Sequence, residues 1–414
     1  MDRNHSIIWL AGKYLKGRSQ RGISRGHYLT LIGIALGVVA LIAVSSVMNG
    51  FRADIKSRII GTLAEMRLSS ANAQPLKAYQ DLIASLAAHG YKAAPVVRAE
   101  LLLKRDTAAV PALCFGIDPH LHPDVAPVLK QAREQGSFEG LLAGDLQGFE
   151  DQGIVLGAGL ASALNVYIGD ELQLISPLFN IPTAFGLLPR VKILRVAAIF
   201  SAGMPEYDQN YAYIPLAVAQ EFNAYADVAD YLEIRSPSPD QSAKALQKLR
   251  PLYPEYRLED WSSFDASLYG AIRFEKYLMF VIMLFMFIIA SFNLTGSLLK
   301  LITQKKRELG LLKAMGYTEK DLSRLFLYQG LILSSIGIMG GLVLGTVLLV
   351  IQDQFGIVRL SMGSGDAITL PVQMMLADYL LVIIVSYGLT ILSVMLPLRR
   401  LKDINAVELI RRNV

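Results

Sequence analysis

The sequence predicts an α-helical membrane protein with four transmembrane helices and a large mixed α/β domain inserted between the first and second spans. Three observations carry that prediction. Of 414 residues, 53% are hydrophobic and only 18% charged, a balance too apolar for an ordinary soluble protein. Four runs, 28–48, 277–299, 325–351 and 379–396, contain no Asp, Glu, Lys or Arg, and each reaches the roughly 17–25 residues that a crossing needs. Between the first and second runs lies a polar insert, 49–276, with 21 basic and 26 acidic residues.

Charge distribution sets the orientation. Lys and Arg number 6 in residues 1–27, 7 in 300–324 and 5 in 397–414, against Arg359 alone in 352–378. The positive-inside rule therefore predicts a cytoplasmic N-terminal segment, a cytoplasmic 300–324 island and a cytoplasmic tail, with 49–276 and the short 352–378 loop outside. A cleaved signal peptide is the alternative for the first run, with Ala43-Val-Ser45 as a passable cleavage site. The run is longer than an h-region of about 7–15 residues, which favours a span. Cys114 is the only cysteine; it excludes an intramolecular disulfide and reads as a small core residue.

In chain order, Ile7, Ile8, Leu10, Ala11, Tyr14 and Leu15 form an apolar stripe opposed by Lys13, Lys16 and Arg18, the pattern of an amphipathic helix lying on the inner leaflet with Trp9 as anchor. The first span carries Gly33-x-x-x-Gly37 and Ala40, a stripe that permits close helix approach. Its outer end, Val47-Met48-Asn49-Gly50-Phe51, reads as a span fraying into the outer domain. In that domain, 96–104 and 108–115 read as strands around the turn Arg105-Asp-Thr107, followed by strands at 154–156, 172–175 and 230–234. Residues 76–89, 217–225 and 242–249 read as helices. The stretch 176–189, SPLFNIPTAFGLLP, has three prolines; proline removes ladder donors, so a protruding loop is expected. A helix capped at about Asp265 runs through Arg273 to Lys276 into the second span, where Asn293, Thr295 and Ser297 offer interhelical hydrogen bonds. Gly337, Gly341 and Gly345 mark a packing face on the third span.

The island 304–324 holds the chain's most specific pattern. Residues 305–315 are mostly helix formers, Gly316 stands where a left-handed cap would end the helix, and Thr318-x-x-Asp321 starts the next one. Leu309, Leu312 and Met315 recur at helical spacing among charged residues. Two readings remain open for it: a solvated helix resting on headgroups, or a docking helix for a cytoplasmic partner.

Missing motifs narrow the chemistry. There is no GxxxxGK[ST] phosphate loop, no G-x-S-x-G or H-E-x-x-H, and no ionisable residue in the four runs. Direct use of ATP or of an ion gradient is not expected, so a transporter built this way needs a separate motor. His89, His120 and His122 read as surface or turn residues, and no catalytic residue, metal site or cofactor is expected in the chain itself.

The segment Glu308-Leu-Gly-Leu-Leu-Lys-Ala-Met-Gly316 resembles the E-I-x-x-L-K-x-x-G element between the second and third spans of ABC permeases of the FtsX and MacB superfamily. With FEKYLMFVIMLFMFIIASFNLTGSL before it and GIALGVVALIAVSSVMNGF in the first span, the chain is similar to the LolC/LolE branch, the lipoprotein-releasing permeases. The resemblance covers nearly the whole chain and is weakest in the middle. It departs at Asn165, where the family often has Gly, a harmless change because Asn tolerates the left-handed conformation.

The resemblance implies a bacterial inner-membrane protein with both termini cytoplasmic and a MacB-like periplasmic α/β domain. Glu308, Leu309, Leu312, Lys313, Met315 and Gly316 would couple to a LolD-like ATPase dimer, which binds the ATP and Mg. Val44, Val47, Met48 and Phe51, facing Met279 and Met283, would line a cavity for the lipoprotein's acyl chains; the plainer alternative is that they only pack two spans together. In LolC-type proteins a hook at the place of 176–189 holds a LolA-like periplasmic carrier, making Phe179, Pro182, Phe185 and Pro189 the carrier-binding residues, unless the loop packs on its own domain. A second permease subunit, the same or related, completes the assembly; no nucleic acid is involved. Two rivals stand beside this reading. One is an FtsX-like regulator of external cell-wall hydrolases, whose usual outer domain is smaller. The other is a MacB-like exporter of peptides or toxins, whose family carries a fused N-terminal ATPase.

Overall fold

A computed structural model of the chain describes residues 7, 9–13, 25–130, 139–150, 152–183, 186–237, 242–264, 270, scattered positions between 274 and 303, 306–361 and 367–398. Two compact units emerge, 55–270 and the remainder, each with its own core.

The inserted unit is built on a ten-stranded sheet: β1 (Met66–Ser70), β2 (Lys92–Arg105), β3 (Ala108–Ile117), β4 (Glu139–Gly144), β5 (Gly153–Gly157), β6 (Glu171–Thr183), β7 (Gly186–Ala202), β8 (Tyr211–Pro215), β9 (Tyr231–Arg235) and β10 (Tyr256–Asp260). The strand order is β10-β1-β9-β2-β3-β8-β5-β7-β4, with β6 pairing both β2 and β7. Length makes this possible. β2 has 14 residues, so its first part, from Lys92 to Val96, pairs with β9 while Leu102, Leu103 and Lys104 pair with β6. The ladder β2-β3-β8-β5-β7-β6 thereby returns to β2 and closes on itself. Side chains alternate along β2, where Val97, Ala99, Leu101 and Leu103 are buried and Arg98, Glu100 and Lys104 are exposed. The buried set meets Leu172, Leu174 and Leu194 inside the ring, together with Leu160 and Phe222 from two short helices. Cys114 lies in that core, as expected, and burial pushes its thiol up to about 12.

The expected β2–β3 hairpin forms around Asp106, and the expected helices form as α2 (Tyr79–Ala88), α4 (Leu216–Phe222) and α5 (Ser242–Leu249), with the short α3 (Ala158–Leu164) before Asn165, which is left-handed at φ 51°. The expectation of a loop at 176–189 is corrected: β6 and β7 continue as a paired arm, from Asn180–Pro189 to Thr183–Gly186. Proline is tolerated for two reasons. The ladder shifts register between Ile175 and Asn180, where Pro177 falls, and beyond that shift the arm has only two strands, so each outer edge needs no donor.

The first helix, α1 (Arg25–Leu63), does not fray at residue 48; its residues from Ile55 on belong to the inserted unit, where Ile59 and Leu63 are core residues. The island helix α6 (Lys306–Ala314) is followed by α7 (Glu319–Phe355) and α8 (Leu376–Leu398). Among the described residues three helices, α1, α7 and α8, are long and apolar enough to cross a membrane. The expected second span falls where only scattered positions are described; Tyr277, Val281, Phe285, Ile289 and Phe292 there are helical and exposed. The helix expected from Asp265 to Lys276 falls largely outside the described residues, as do Asn293 and Ser297. Thr295 does donate across helices, to the Ser393 carbonyl at 3.1 Å.

The glycine stripe on α7 is a packing face, as expected. A Cβ at Gly337 would lie 2.9 Å from Ile34 Cγ2, and one at Gly341 would lie 2.7 Å from the Ala35 carbonyl oxygen. On α1 these glycines meet Ile34, Ala35 and Val38. The N-terminal stripe has a protein partner. Ile7 and Ala11 are buried against Leu325, with Leu312, Tyr317 and Tyr328 around them. Trp9 stays exposed beneath Lys13 Nζ at 4.0 Å. Ile8, Tyr14 and Leu15 lie outside the described residues.

Candidate functional site

The island is built as its sequence dictates. Gly316 takes φ +90°, and Tyr317 N–H donates back to the Leu312 carbonyl at 3.1 Å, ending α6. Thr318 and Asp321 exchange backbone and side-chain hydrogen bonds in a capping box that starts α7. Lys313 Nζ reaches Glu319 Oε1 at 3.3 Å across the turn. Leu309 is fully buried and Leu312 joins the Ile7, Ala11 and Leu325 cluster. Glu308, Leu311, Met315 and Gly316 are exposed, Leu311 at 55% and Met315 at 77%. The six expected coupling residues thus divide. Leu309 and Leu312 hold the helix in place, Lys313 ties it to α7, and Glu308, Met315 and Gly316 are presented outward. Leu311 was missed by the sequence reading, although it stands three residues after Glu308, on the same helical face.

At the outer end of the first span, Met48 is buried at 6% exposure, whereas Val44, Val47 and Phe51 are half-buried. Met279 is half-buried and Met283 lies outside the described residues. The four first-span residues therefore share one stretch of α1, and their expected pairing with Met283 is not described.

Of the expected carrier-binding residues, Pro189 sits exposed on β7 at the base of the arm. The backbones of Phe179 and Pro182 belong to β6, but their side chains, like all of Phe185, lie outside the described residues. Exposed Val191 and Ile193 continue from Pro189 along β7 toward the ring.

A polar cluster inside the inserted unit has no counterpart in the sequence reading. His122, expected at the surface or in a turn, does sit in a short 3-10 turn but is 1% exposed, which corrects the surface reading. Its Nε2 lies 3.8 Å from Glu233 Oε2, and its ring centre lies 5.7 Å from that of Tyr213. Glu233 Oε1 accepts from Arg67 Nη2 at 3.0 Å, and the Arg67 guanidinium stacks over Tyr231 at 4.4 Å. Burial pushes the Glu233 carboxyl up to about 7, although Arg67 pulls the other way. Burial, with the Arg67 charge added, holds His122 down to about 3. Both shifts come chiefly from desolvation of the charged form. The available signal was Glu233 itself, a carboxylate in the short strand read at 230–234, flanked by Leu232 and Ile234. Among the described residues no group of three or more His, Cys, Asp or Glu side chains is arranged to hold a metal ion.

Comparison with known proteins covers both units. Residues 28–252 match the family described as the MacB-like periplasmic core domain, and residues 280–406 match the FtsX-like permease C-terminal domain. The chain is 28% identical over 413 residues to the lipoprotein-releasing system transmembrane protein LolC of Xylella fastidiosa (strain Temecula1 / ATCC 700964), covering 96% of this chain and 97% of that one. It is 26% identical over 424 residues to LolC of Neisseria meningitidis serogroup B, covering 97% and 98%. Its identity to LolE of Haemophilus influenzae is 25% over 420 residues, covering 96% and 98%.

Proposed function

The chain belongs to the ABC-permease family that joins a MacB-like periplasmic core domain to an FtsX-like permease domain, and on that premise we propose that it extracts lipoproteins from the outer leaflet of the inner membrane. A separate ATPase of the LolD kind supplies the energy, a second permease subunit completes the pathway, and a LolA-like periplasmic carrier receives the cargo. In this reading four spans cross the membrane, both termini are cytoplasmic, and the Val44–Phe51 stretch forms one wall of the acyl-chain cavity.

The observation that carries the reading is the outward face of α6. Two large apolar side chains, Leu311 and Met315, stand exposed beside Glu308 on a helix braced from behind by Leu309 and Leu312. Exposed apolar residues on a rigid, short helix suit insertion into a partner's groove better than contact with water. The cargo rests on the relatives, which are named for lipoprotein release and match along nearly the full chain. The test is reconstitution of the permease with its ATPase in vesicles containing a triacylated lipoprotein, with soluble carrier outside. ATP-dependent appearance of lipoprotein on the carrier is the expected result. ATP turnover without transfer, accompanied by activation of a peptidoglycan hydrolase, would replace this reading with the FtsX-like one.

A further inference from the structure

Where α1 leaves its apolar run, a segment from the far end of the chain lies across it. Gln373 N–H donates to the Ser46 carbonyl at 2.9 Å, and Asn49 Nδ2 donates to the Asp378 carboxylate one turn further along α1. Between these bonds the two backbones touch. A Cβ on Gly50 would fall 2.7 Å from the Val372 nitrogen and inside the contact radius of the Pro371 carbonyl, so only glycine fits there. The crossing segment is itself held. Gln352 accepts from Val358 N–H and donates to the Val358 carbonyl, both at 2.9 Å, fixing the loop that carries the two-stranded β11 (Arg359–Ser361) and β12 (Ala367–Thr369). Beneath the crossing, Val372 and Tyr379 pack on Val38, Leu41, Ile42 and Val382. Tyr379 and Tyr387 of α8 each share a hydroxyl hydrogen bond with α7, to Thr346 at 3.0 Å and Ser335 at 2.8 Å.

We infer that Asn49, Gly50, Pro371 and Asp378 form a permanent clasp that makes α1, α7 and α8 one block, so that the Val47–Met48 turn is a fixed wall against which another part of the permease moves. Each contact alone is weak. Together they place a backbone hydrogen bond, a charge-assisted side-chain bond and a glycine-only contact within two turns of helix, above a filled apolar seam. Such an arrangement has no intermediate setting: sliding by a fraction of a turn drives Gly50 out of register with Pro371 and leaves the Asp378 carboxylate without Asn49. Asn49 and Asp378 are positioning residues here, acting through their bond to each other beside the Gly50–Pro371 contact. The consequence for release rests on the permease reading above; the geometry of the clasp does not.

The experiment uses the full permease–ATPase complex carrying N49C/D378C, bridged by a short bis-thiosulfonate reagent; the one native cysteine, Cys114, is buried and leaves no competing thiol. Without the bridge, lipoprotein released per ATP hydrolysed should fall about tenfold, because a displaced wall wastes the stroke, and bridging should restore it to within about twofold of the unaltered chain. Asp378→Ala should uncouple in the same way while ATP turnover persists, and Asp378→Asn, which keeps an acceptor for Asn49, should release normally. Normal release from the unbridged variant overturns the proposal. So does a bridged complex that hydrolyses ATP without release until reduced, or a fall of turnover and release in parallel. If the unaltered complex moves no lipoprotein, the functional reading fails by itself. The clasp is then judged by bridging yield, which should be equal in the nucleotide-free and ATP-trapped complexes and is refuted by a loss of bridging on trapping.

Discussion

Glu233 and His122 are two acid–base groups that burial displaces in opposite directions, and the signs of those displacements set how the inserted unit responds to pH. Glu233 is raised from 4.5 to about 7, so its contribution is full below 4.5 and is lost as pH rises through 7. His122 is lowered from 6.5 to about 3, so its contribution is full above 6.5 and is lost as pH falls through 3. Between 4.5 and 6.5 these two slopes cancel, while Glu65, Asp208 and Asp230, whose carboxyls burial also raises, weaken the fold as pH rises above their ordinary range. Differential scanning of the full chain in detergent between pH 4.5 and 6.5 should show Glu233→Gln making the slope of stability against pH more positive by one proton, a difference on the order of 3 kcal/mol at most. An unchanged slope over that range would mean that Glu233 does not titrate differently in the folded and unfolded chains. His122 shows what a sequence hides at this scale. Its neighbour Pro123 announces the turn correctly, but burial comes from Arg67, Tyr213 and Glu233, which stand some 55 to 111 residues away along the chain.

At the level of single elements, α6 gives the most direct test of the ATPase contact. Leu311→Asp and Met315→Asp should abolish permease-stimulated ATP hydrolysis while the chain still inserts and folds, since both side chains point away from the protein. Leu312→Asp should instead lower the yield of folded permease, because it places a carboxylate among Ile7, Ala11 and Leu325, where desolvation is costly. Full ATPase stimulation in both outward variants would remove the docking role from this helix. Helical spacing made α6, its glycine stop and the capping box readable in advance, because those features depend on residues within one turn. It did not reveal which face would be covered, since that depends on the N-terminal stripe folding back onto α7. The β6–β7 arm failed to be read for a related reason. Three prolines exclude a central strand, but a two-stranded arm has no central position, and whether a strand is central depends on its neighbours rather than on its own residues.

For the molecule as a whole, the runs of uncharged residues and the placement of Lys and Arg were enough to expect a membrane protein with one large insert. The expected orientation rests on 18 of 19 basic residues outside that insert lying in 1–27, 300–324 and 397–414. In intact cells Lys313→Cys should resist a membrane-impermeant thiol reagent, and Val191→Cys, exposed on β7, should react once the outer membrane is permeabilised; the reverse pattern would overturn the topology. What composition could not convey is the closure of the sheet, because it hangs on Leu102 pairing with Ile175 across more than seventy residues of chain. That closure also limits how the insert can be approached. A protein that binds by lending a strand needs a row of unsatisfied backbone groups, and a ladder joined end to end presents none. Among the described strands of the insert, open rows lie at β10, at β4, along β3 from Ala108 to Ala112 and along both sides of the arm beyond Ile175. Strand addition from the outside is thus confined to the margins of the insert, while its closed part can be met only through side chains.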